Sequence, residues 1–176
     1  ENYRLMVASI SPRPIAFVGT QDIKGNNNLA PFSFFNGFGA NPPIVGFSPA
    51  LSGRTGEPKD TLLNIKETKE FTISVVSYEI ANQMSLSSCD FSRKVDEFEK
   101  SGLSKKSSNL IKPYGVLESP VIFECKLMDV LELGGRPGSG NLILGEILAF
   151  HVKTSLIGES DFIDEKEMDL IGRMGY

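Results

Sequence analysis

Between Lys24 and Arg54 this chain carries no charged side chain. A membrane-spanning segment is the obvious use for so long an uncharged run, and it fails here. Pro31, Pro42, Pro43 and Pro49, with Asn28, Asn36 and Asn41, would strand polar groups in hydrocarbon. The run must instead supply buried strands joined by loops. Where it ends, Arg54, Glu57, Lys59, Asp60 and Thr61 arrive together. An aromatic, Gly/Pro-punctuated stretch closing in a compact cationic corner suits a ligand with a flat apolar part and an anionic end. The plainer alternative is a pair of buried strands followed by a solvated loop.

Hydropathy patterning lays out the remaining elements. Pro14–Thr20 (PIAFVGT) is a short apolar run with β-branched and aromatic members, a strand signal. Asp22–Asn27 has the Gly and Asn of a hairpin turn, and Leu29–Phe35 returns as its partner. Pro31 lacks an N–H, so a strand end, an edge or a bulge is its place. We expect a local break in the ladder there, with neighbouring amides free to face a ligand. Asn36–Asn41 (NGFGAN) reads as a turn and Pro43–Ser48 as a third strand.

Asp60 is the expected N-cap of a helix over about Thr61–Thr68. Phe71–Val76 begins in alternation, with Phe71, Ile73 and Val75 on one face and Thr72 and Ser74 on the other. Helical stretches follow near Tyr78–Leu86 and Lys94–Lys100, and the Ser/Lys-rich segment Ser101–Asn109 reads as a mobile loop. Pro120–Leu131 and Leu142–Val152 are long strands around the turn Gly134–Gly140. Strands dominate and no regular β-α alternation occurs, so a closed or partly closed antiparallel barrel is favoured over a parallel sheet.

Charge and residue counts exclude several functions. A net charge of −4 argues against nucleic acid as a partner. The imbalance sits in residues 155–176, where Glu159, Asp161, Asp164, Glu165, Glu167 and Asp169 face only Lys166 and Arg173. Cys89 and Cys125 are too few for a disulfide framework, and the single His151 excludes a multi-histidine metal centre. The cytoplasm is the default compartment, and 176 residues suit one domain over 1–176. Neither G-x-G-x-x-G nor G-x-x-x-x-G-K-[ST] is present. The glycines of GGRPGSG at 134–140 sit between two long strands, and a turn explains them better than a phosphate cradle.

The cationic corner is more informative. Arg54 offers a planar fork to a phosphate and Lys59 a point charge. Thr61 has a hydroxyl to give, and the first amides of the following helix carry positive partial charge. These devices fall within eight residues, and Ser48, at the end of the preceding strand, adds another. The competing reading is a solvated loop capped by Asp60.

PRPIAFVGT at 12–20, NLAPFSFFN at 28–36, PPIVGFS at 42–48, R-x-G-x-x-K-D-T at 54–61 and GEILAFHV at 145–152 lie in this order along nearly the whole chain. Together with Ile171-Gly172-Arg173-Met174-Gly175, they resemble the FMN-binding split-barrel flavin reductases, or flavoredoxin-like proteins. The resemblance implies a mainly β fold, a six-stranded antiparallel Greek-key split barrel with helical insertions, in a homodimer. It implies FMN as cofactor, its isoalloxazine lined by Asn28, Ala30, Pro31, Phe32 and Ser33 and its phosphate held by Ser48, Arg54, Lys59, Asp60 and Thr61. It implies an NADH- or NADPH-dependent oxidoreductase passing electrons to a flavin or other small acceptor. The alternative is a flavin-binding electron carrier without nicotinamide-dependent activity.

In relatives a histidine near the position of His151 approaches the reactive side of the flavin, which makes His151 the candidate substrate-binding residue. A rim histidine with a satisfied hydrogen bond is the other reading. Glu146, on a face with Leu144, Leu148 and Phe150, must be paired or lie at a subunit interface. One departure is Tyr176, where the family has a second glycine, and this leaves any role for Arg173 open.

Overall fold

In a computed structural model, which describes residues 2–158 and 162–175, the first apolar run forms β1 (Ala16–Gln21). Glu1, Glu159, Asp161 and Tyr176 lie outside the described residues. A short helix α1 (Asn2–Ser9), absent from the sequence reading, precedes β1 and buries Val7. The expected hairpin returns as β2 (Asn27–Phe32). Its turn is tied by Asp22, whose carboxylate accepts the amides of Lys24 and Asn26 at 2.8 and 2.9 Å, while Gly25 supplies φ +84°.

The segment Asn36–Asn41 is not a turn. Phe35–Ala40 is a strand, β3, paired antiparallel with β4 (Pro43–Phe47), and the chain reverses at Asn41–Pro42. Asn and Gly imitate turn chemistry here, but an exposed edge strand has little side-chain packing to satisfy and tolerates small residues. Next come α2 (Asp60–Thr68), β5 (Glu70–Val75), α3 (Ala81–Leu86) and α4 (Glu97–Ser101). A small ribbon pairs β6 (Lys105–Lys106) with β7 (Gly115–Val116), and the long strands β8 (Val121–Glu132) and β9 (Asn141–Val152) complete the fold.

The main sheet has seven strands, not six, in the order β2-β1-β5-β8-β9-β4-β3. The strand read as a turn accounts for the difference. All of its pairings are antiparallel. Its two edges, β2 and β3, are consecutive in the chain and separated only by Ser33 and Phe34. A sheet whose edges are tethered by so short a link has to curl until they approach, which gives a split barrel.

Phe32, Phe47 and Phe71 run through the barrel interior, with ring centroids 5.3 and 5.6 Å apart. Burying each such ring is worth about 1.5–3 kcal/mol. Leu62 and Ile65 of α2 join this core, so α2 plugs the barrel. A second cluster, including Phe17, Leu29, Ile80, Phe98 and Val116, lies on the other face of β1 and β2. Phe71 and Ile73 point into the barrel as the alternation predicts. Thr72 and Ser74 face outward yet are buried, because Thr72 Oγ1 donates to the Tyr114 carbonyl at 2.7 Å and Ser74 Oγ accepts the Val116 amide at 3.0 Å.

The segment 101–109 is therefore not the free loop its composition implies. Ser101 closes α4, Lys105 and Lys106 form β6, and the amides of Asn109 and Leu110 bind the Glu124 carboxylate at 2.7 and 2.8 Å. Polar composition signals mobility only when no remote group anchors the backbone.

Candidate functional site

Pro31 and Phe32 line three cavities that together form a cleft beside β2. The ladder does not break at Pro31: the β1–β2 register runs continuously from Ala16↔Phe32 to Gln21↔Asn27. β2 is an edge strand, and the Leu29 amide points away from β1, into the Glu97 carboxylate at 3.0 Å. Pro31, two residues on, faces the same way, so its missing N–H costs the ladder nothing. Of the amides expected to be free around Pro31, that of Leu29 is thus taken by Glu97. What the edge keeps toward the cleft is backbone at Pro31 and Ser33, flanked by the Phe32 ring.

The cationic corner stands at one end of this cleft. Ser48, Ser52, Gly53, Arg54 and Lys59 line a cavity together with Pro31, Phe32 and Ser33. Arg54 sits in a tight loop closed by Ser52 N to the Glu57 carbonyl and Gly56 N to the Ser52 carbonyl, both at 2.8 Å. Among the described residues neither Arg54 nor Lys59 has a side-chain hydrogen bond or ion pair, and both are exposed. Ser48 Oγ accepts the Asn141 amide at 3.0 Å, which leaves its O–H available to a ligand.

Asp60 is not the N-cap. Lys59 holds that position, without a side-chain cap, and Asp60 opens the helix with its carboxylate 3.6 Å from Arg93 Nε. A negative side chain in the first turn suits the helix dipole equally well. The amides of Asp60 and Thr61 precede the helical ladder and remain donors at the cleft, since Leu62 N and Leu63 N both turn back to the Lys59 carbonyl.

Thr61 and Asn28, assigned to opposite ends of the ligand by the resemblance, meet each other. Thr61 Oγ1 donates to Asn28 Oδ1 at 2.8 Å. From there the network continues inward: Thr20 Oγ1 reaches Asn28 Oδ1 at 3.4 Å, Asn64 Nδ2 donates to Thr20 Oγ1 at 3.1 Å, and Arg93 Nη2 donates to Asn64 Oδ1 at 3.1 Å. Thr20, Thr61 and Asn64 are buried, so these are high-stakes bonds in low dielectric. They fix the start of α2 against β2. Asn28, Ala30, Pro31, Phe32, Lys59, Asp60 and Thr61 share one cavity wall. Burial pushes the carboxyl of Glu97, on the same wall, above the usual carboxylate range.

The residues across the cleft have no assigned role in the sequence reading, and that of Arg173 is left open there. Tyr3, Arg13, Met84, Ser85, Ser88 and Arg173 line the cavity at the far side of Pro31–Ser33. Arg13 had one available signal, an arginine set between Pro12 and Pro14 at the head of an apolar strand. Tyr3 belongs to α1, Met84 and Ser85 to α3, Ser88 to the turn that follows it and Arg173 to the C-terminal segment, parts of the chain whose docking no local pattern announces.

His151 does not join this site. Its Nε2 lies 2.5 Å from Glu124 Oε1, and neither residue lines the cavities at Pro31. In register His151 faces Ile122, and the row runs on through Ser74 and Phe17 before it reaches Pro31. Glu124 is fully buried and holds Asn109, Leu110 and His151 together, so within the chain His151 is the rim histidine with a satisfied partner. Glu146 is half-buried, and among the described residues it has no hydrogen bond or ion pair. Cys125 is buried in the barrel core and Cys89 is exposed at the cleft. No group of metal-ligating side chains occurs among the described residues, and none of their helices is long and apolar enough to cross a membrane.

A family model described as "Flavin reductase like domain" matches residues 8–163. An uncharacterised protein of Deinococcus radiodurans is 37% identical over 179 residues, spanning 98% of this chain and 77% of its own length. The structure of nitrilotriacetate monooxygenase component B from Bacillus cereus superposes with a TM-score of 0.93 at 32% identity, covering 99% of this chain and 86% of that one. The 2-nitrobenzoate 2-nitroreductase of Pseudomonas fluorescens does so at 0.81 and 30% identity, covering 99% and 83%.

Proposed function

The chain belongs to the flavin-reductase-like family, and from that premise we propose that it is an oxidoreductase that holds FMN in the cleft beside β2. On this reading NADH or NADPH is the electron donor, and a second flavin or another small molecule is the acceptor. The observation that carries the reading is the cleft's asymmetry. Its middle is uncharged edge strand and its end offers Ser48, Arg54, Lys59 and the first amides of α2, with both cations unpaired among the described residues. A flat tricyclic ring with a phosphate tail matches that distribution of charge.

The chemistry of hydride and electron transfer is the flavin's when it is bound. The chain's part is to bind and orient. Arg54 and Lys59 neutralise the phosphate, the amides of Asp60 and Thr61 donate to it, and Ser48 gives its O–H. Pro31 and Phe32 present apolar surface to the ring, with the backbone of Ala30 and Ser33 beside it. The Asn28–Thr61 bond keeps the ring edge and the phosphate corner at a fixed separation, which is a positioning role.

Pairing of two copies belongs to the same reading. Ile44 faces Glu146 and Gly46 faces Leu144 on the outer side of the sheet, with the exposed Phe38 ring lying over Gly46. Apolar area around an unpartnered half-buried carboxylate is what a second subunit would cover. We assign the protein to the cytoplasm, where thiols such as Cys89 stay reduced.

Anaerobic mixing of the FMN-loaded protein with NADH or NADPH tests the assignment. Loss of the bound flavin's visible absorption within seconds is the expected result. Flavin that binds but stays oxidised would leave the electron-carrier function in its place, and protein that takes up no FMN would remove both.

A further inference from the structure

The cleft has a second cationic end, which the phosphate of FMN leaves unused. Arg13 is 4% exposed, yet every oxygen its guanidinium meets among the described residues is neutral. Nε donates to Ser33 Oγ at 3.2 Å, Nη1 to the carbonyls of Val7 and Ile10 at 2.6 and 2.7 Å, and Nη2 to that of Gly175 at 2.8 Å. The Phe34 ring lies over it, 5.9 Å from Cζ to centroid. A buried charge without a counter-ion is costly, and the hydrogen bonds offset only part of that cost.

Arg173 lines the same cavity. Its backbone is bridged to Arg13, with Arg13 N to the Arg173 carbonyl at 3.0 Å and Arg173 N to the Arg13 carbonyl at 2.8 Å. Among the described residues its side chain has no hydrogen bond or ion pair. Arg173 is exposed, so water screens its repulsion of Arg13, but an anion entering the cavity meets both charges. The cavity holds about 250 Å³, below the range for a drug-sized ligand. Its apolar wall is Ile15, Pro31, Phe32 and Met84, and Ser85 and Ser88 add hydroxyls.

We propose that this end is a subsite for the carboxylate of a small organic acid, held between Arg13 and Arg173 with its apolar part against Ile15 and Met84, which leaves Pro31 and Phe32 to the flavin ring. The assignment deepens the flavin reading, on which it rests for the placement of the acid beside the cofactor; the demand for an anion stands on the two arginines alone. It names the class of small molecule that the site admits next to FMN: anionic and about one ring in size.

The test is a calorimetric titration of the FMN-loaded protein with sodium benzoate, and with neutral benzamide as the isosteric control. Saturable benzoate binding is expected, with benzamide weaker by about tenfold or more, the loss of a charge-assisted hydrogen bond. Arg173→Ala should weaken benzoate by a similar factor, Arg173→Lys should recover part of it, and FMN affinity should stay within about twofold of the parent. Absent benzoate binding, equal binding of benzamide, or an Arg173→Ala variant that loses FMN as strongly as benzoate would each overturn the proposal. Should the protein take up no FMN, the same benzoate and benzamide titrations on the unloaded chain decide the arginine subsite separately from the flavin reading.

Discussion

Thr61 Oγ1 donates to Asn28 Oδ1 at 2.8 Å, joining the first turn of α2 to the edge strand β2. Thr61→Val keeps the shape and deletes the donor, leaving Asn28 Oδ1 only the 3.4 Å contact from Thr20. We expect a loss of about 1–3 kcal/mol of stability, the cost of a buried group left under-satisfied. Urea unfolding of the unloaded protein measures it. FMN affinity should fall as well, because ring edge and phosphate corner lose their common anchor; unchanged values of both would make the bond incidental.

Arg54→Ala separates binding from folding. Among the described residues the Arg54 side chain has no partner in the protein, so the unfolding midpoint should not move. FMN affinity should fall by about 1.5–3 kcal/mol, the range for a hydrogen bond to a charged group, read by fluorescence titration. A retained dissociation constant would place the phosphate elsewhere.

Much of this site could be read from the residues themselves, because its parts are local. Ser48, Arg54, Lys59 and Thr61 lie within one short stretch, and charge next to a helix start announces itself. The fold was legible where alternation is strong, as in Phe71–Val75 and in the long strands β8 and β9. It was not legible at Phe35–Ala40, where Gly and Asn suggest a turn and only the pairing with β4 makes a strand. Arg13 escaped for a similar reason. Its significance comes from Ser33 and Gly175, distant in the chain, converging on it beside the nearby Val7. The ordering of 101–109 comes from the end of α4, the β6–β7 pairing and Glu124, which sequence patterning marks only as a charged residue on a strand.

Glu124 gives a pH signature. Burial pushes its carboxyl up, but the amides of Asn109 and Leu110 and the His151 ring hold it below the ordinary range on balance. A folded-state pKa below the unfolded value, about 4.3, means that its contribution is present above that pH. It is then lost as pH falls through the folded pKa. Glu124→Gln should lower stability at neutral pH and flatten the acid limb of a stability-against-pH curve. An acid limb of unchanged slope would contradict the assignment.

Gly19 tests the packing of the 113–116 segment on the sheet. A Cβ there would lie 2.2 Å from the Tyr114 carbonyl oxygen and 2.6 Å from Thr72 Oγ1. Backbone cannot yield as a side chain does, so Gly19→Ala should cost about 1–3 kcal/mol by overpacking. Gly37→Ala, with nothing within 4 Å of its Cβ, is the control and should stay within about 0.5 kcal/mol. Urea midpoints of the two variants decide it.

A crystal structure of the protein soaked with FMN tests the central claim most directly. The account predicts the isoalloxazine against the Ala30–Ser33 edge and the phosphate between Arg54, Lys59 and the first amides of α2. Density for FMN at any other face of the barrel, or a cleft that stays empty at saturating FMN, would contradict it.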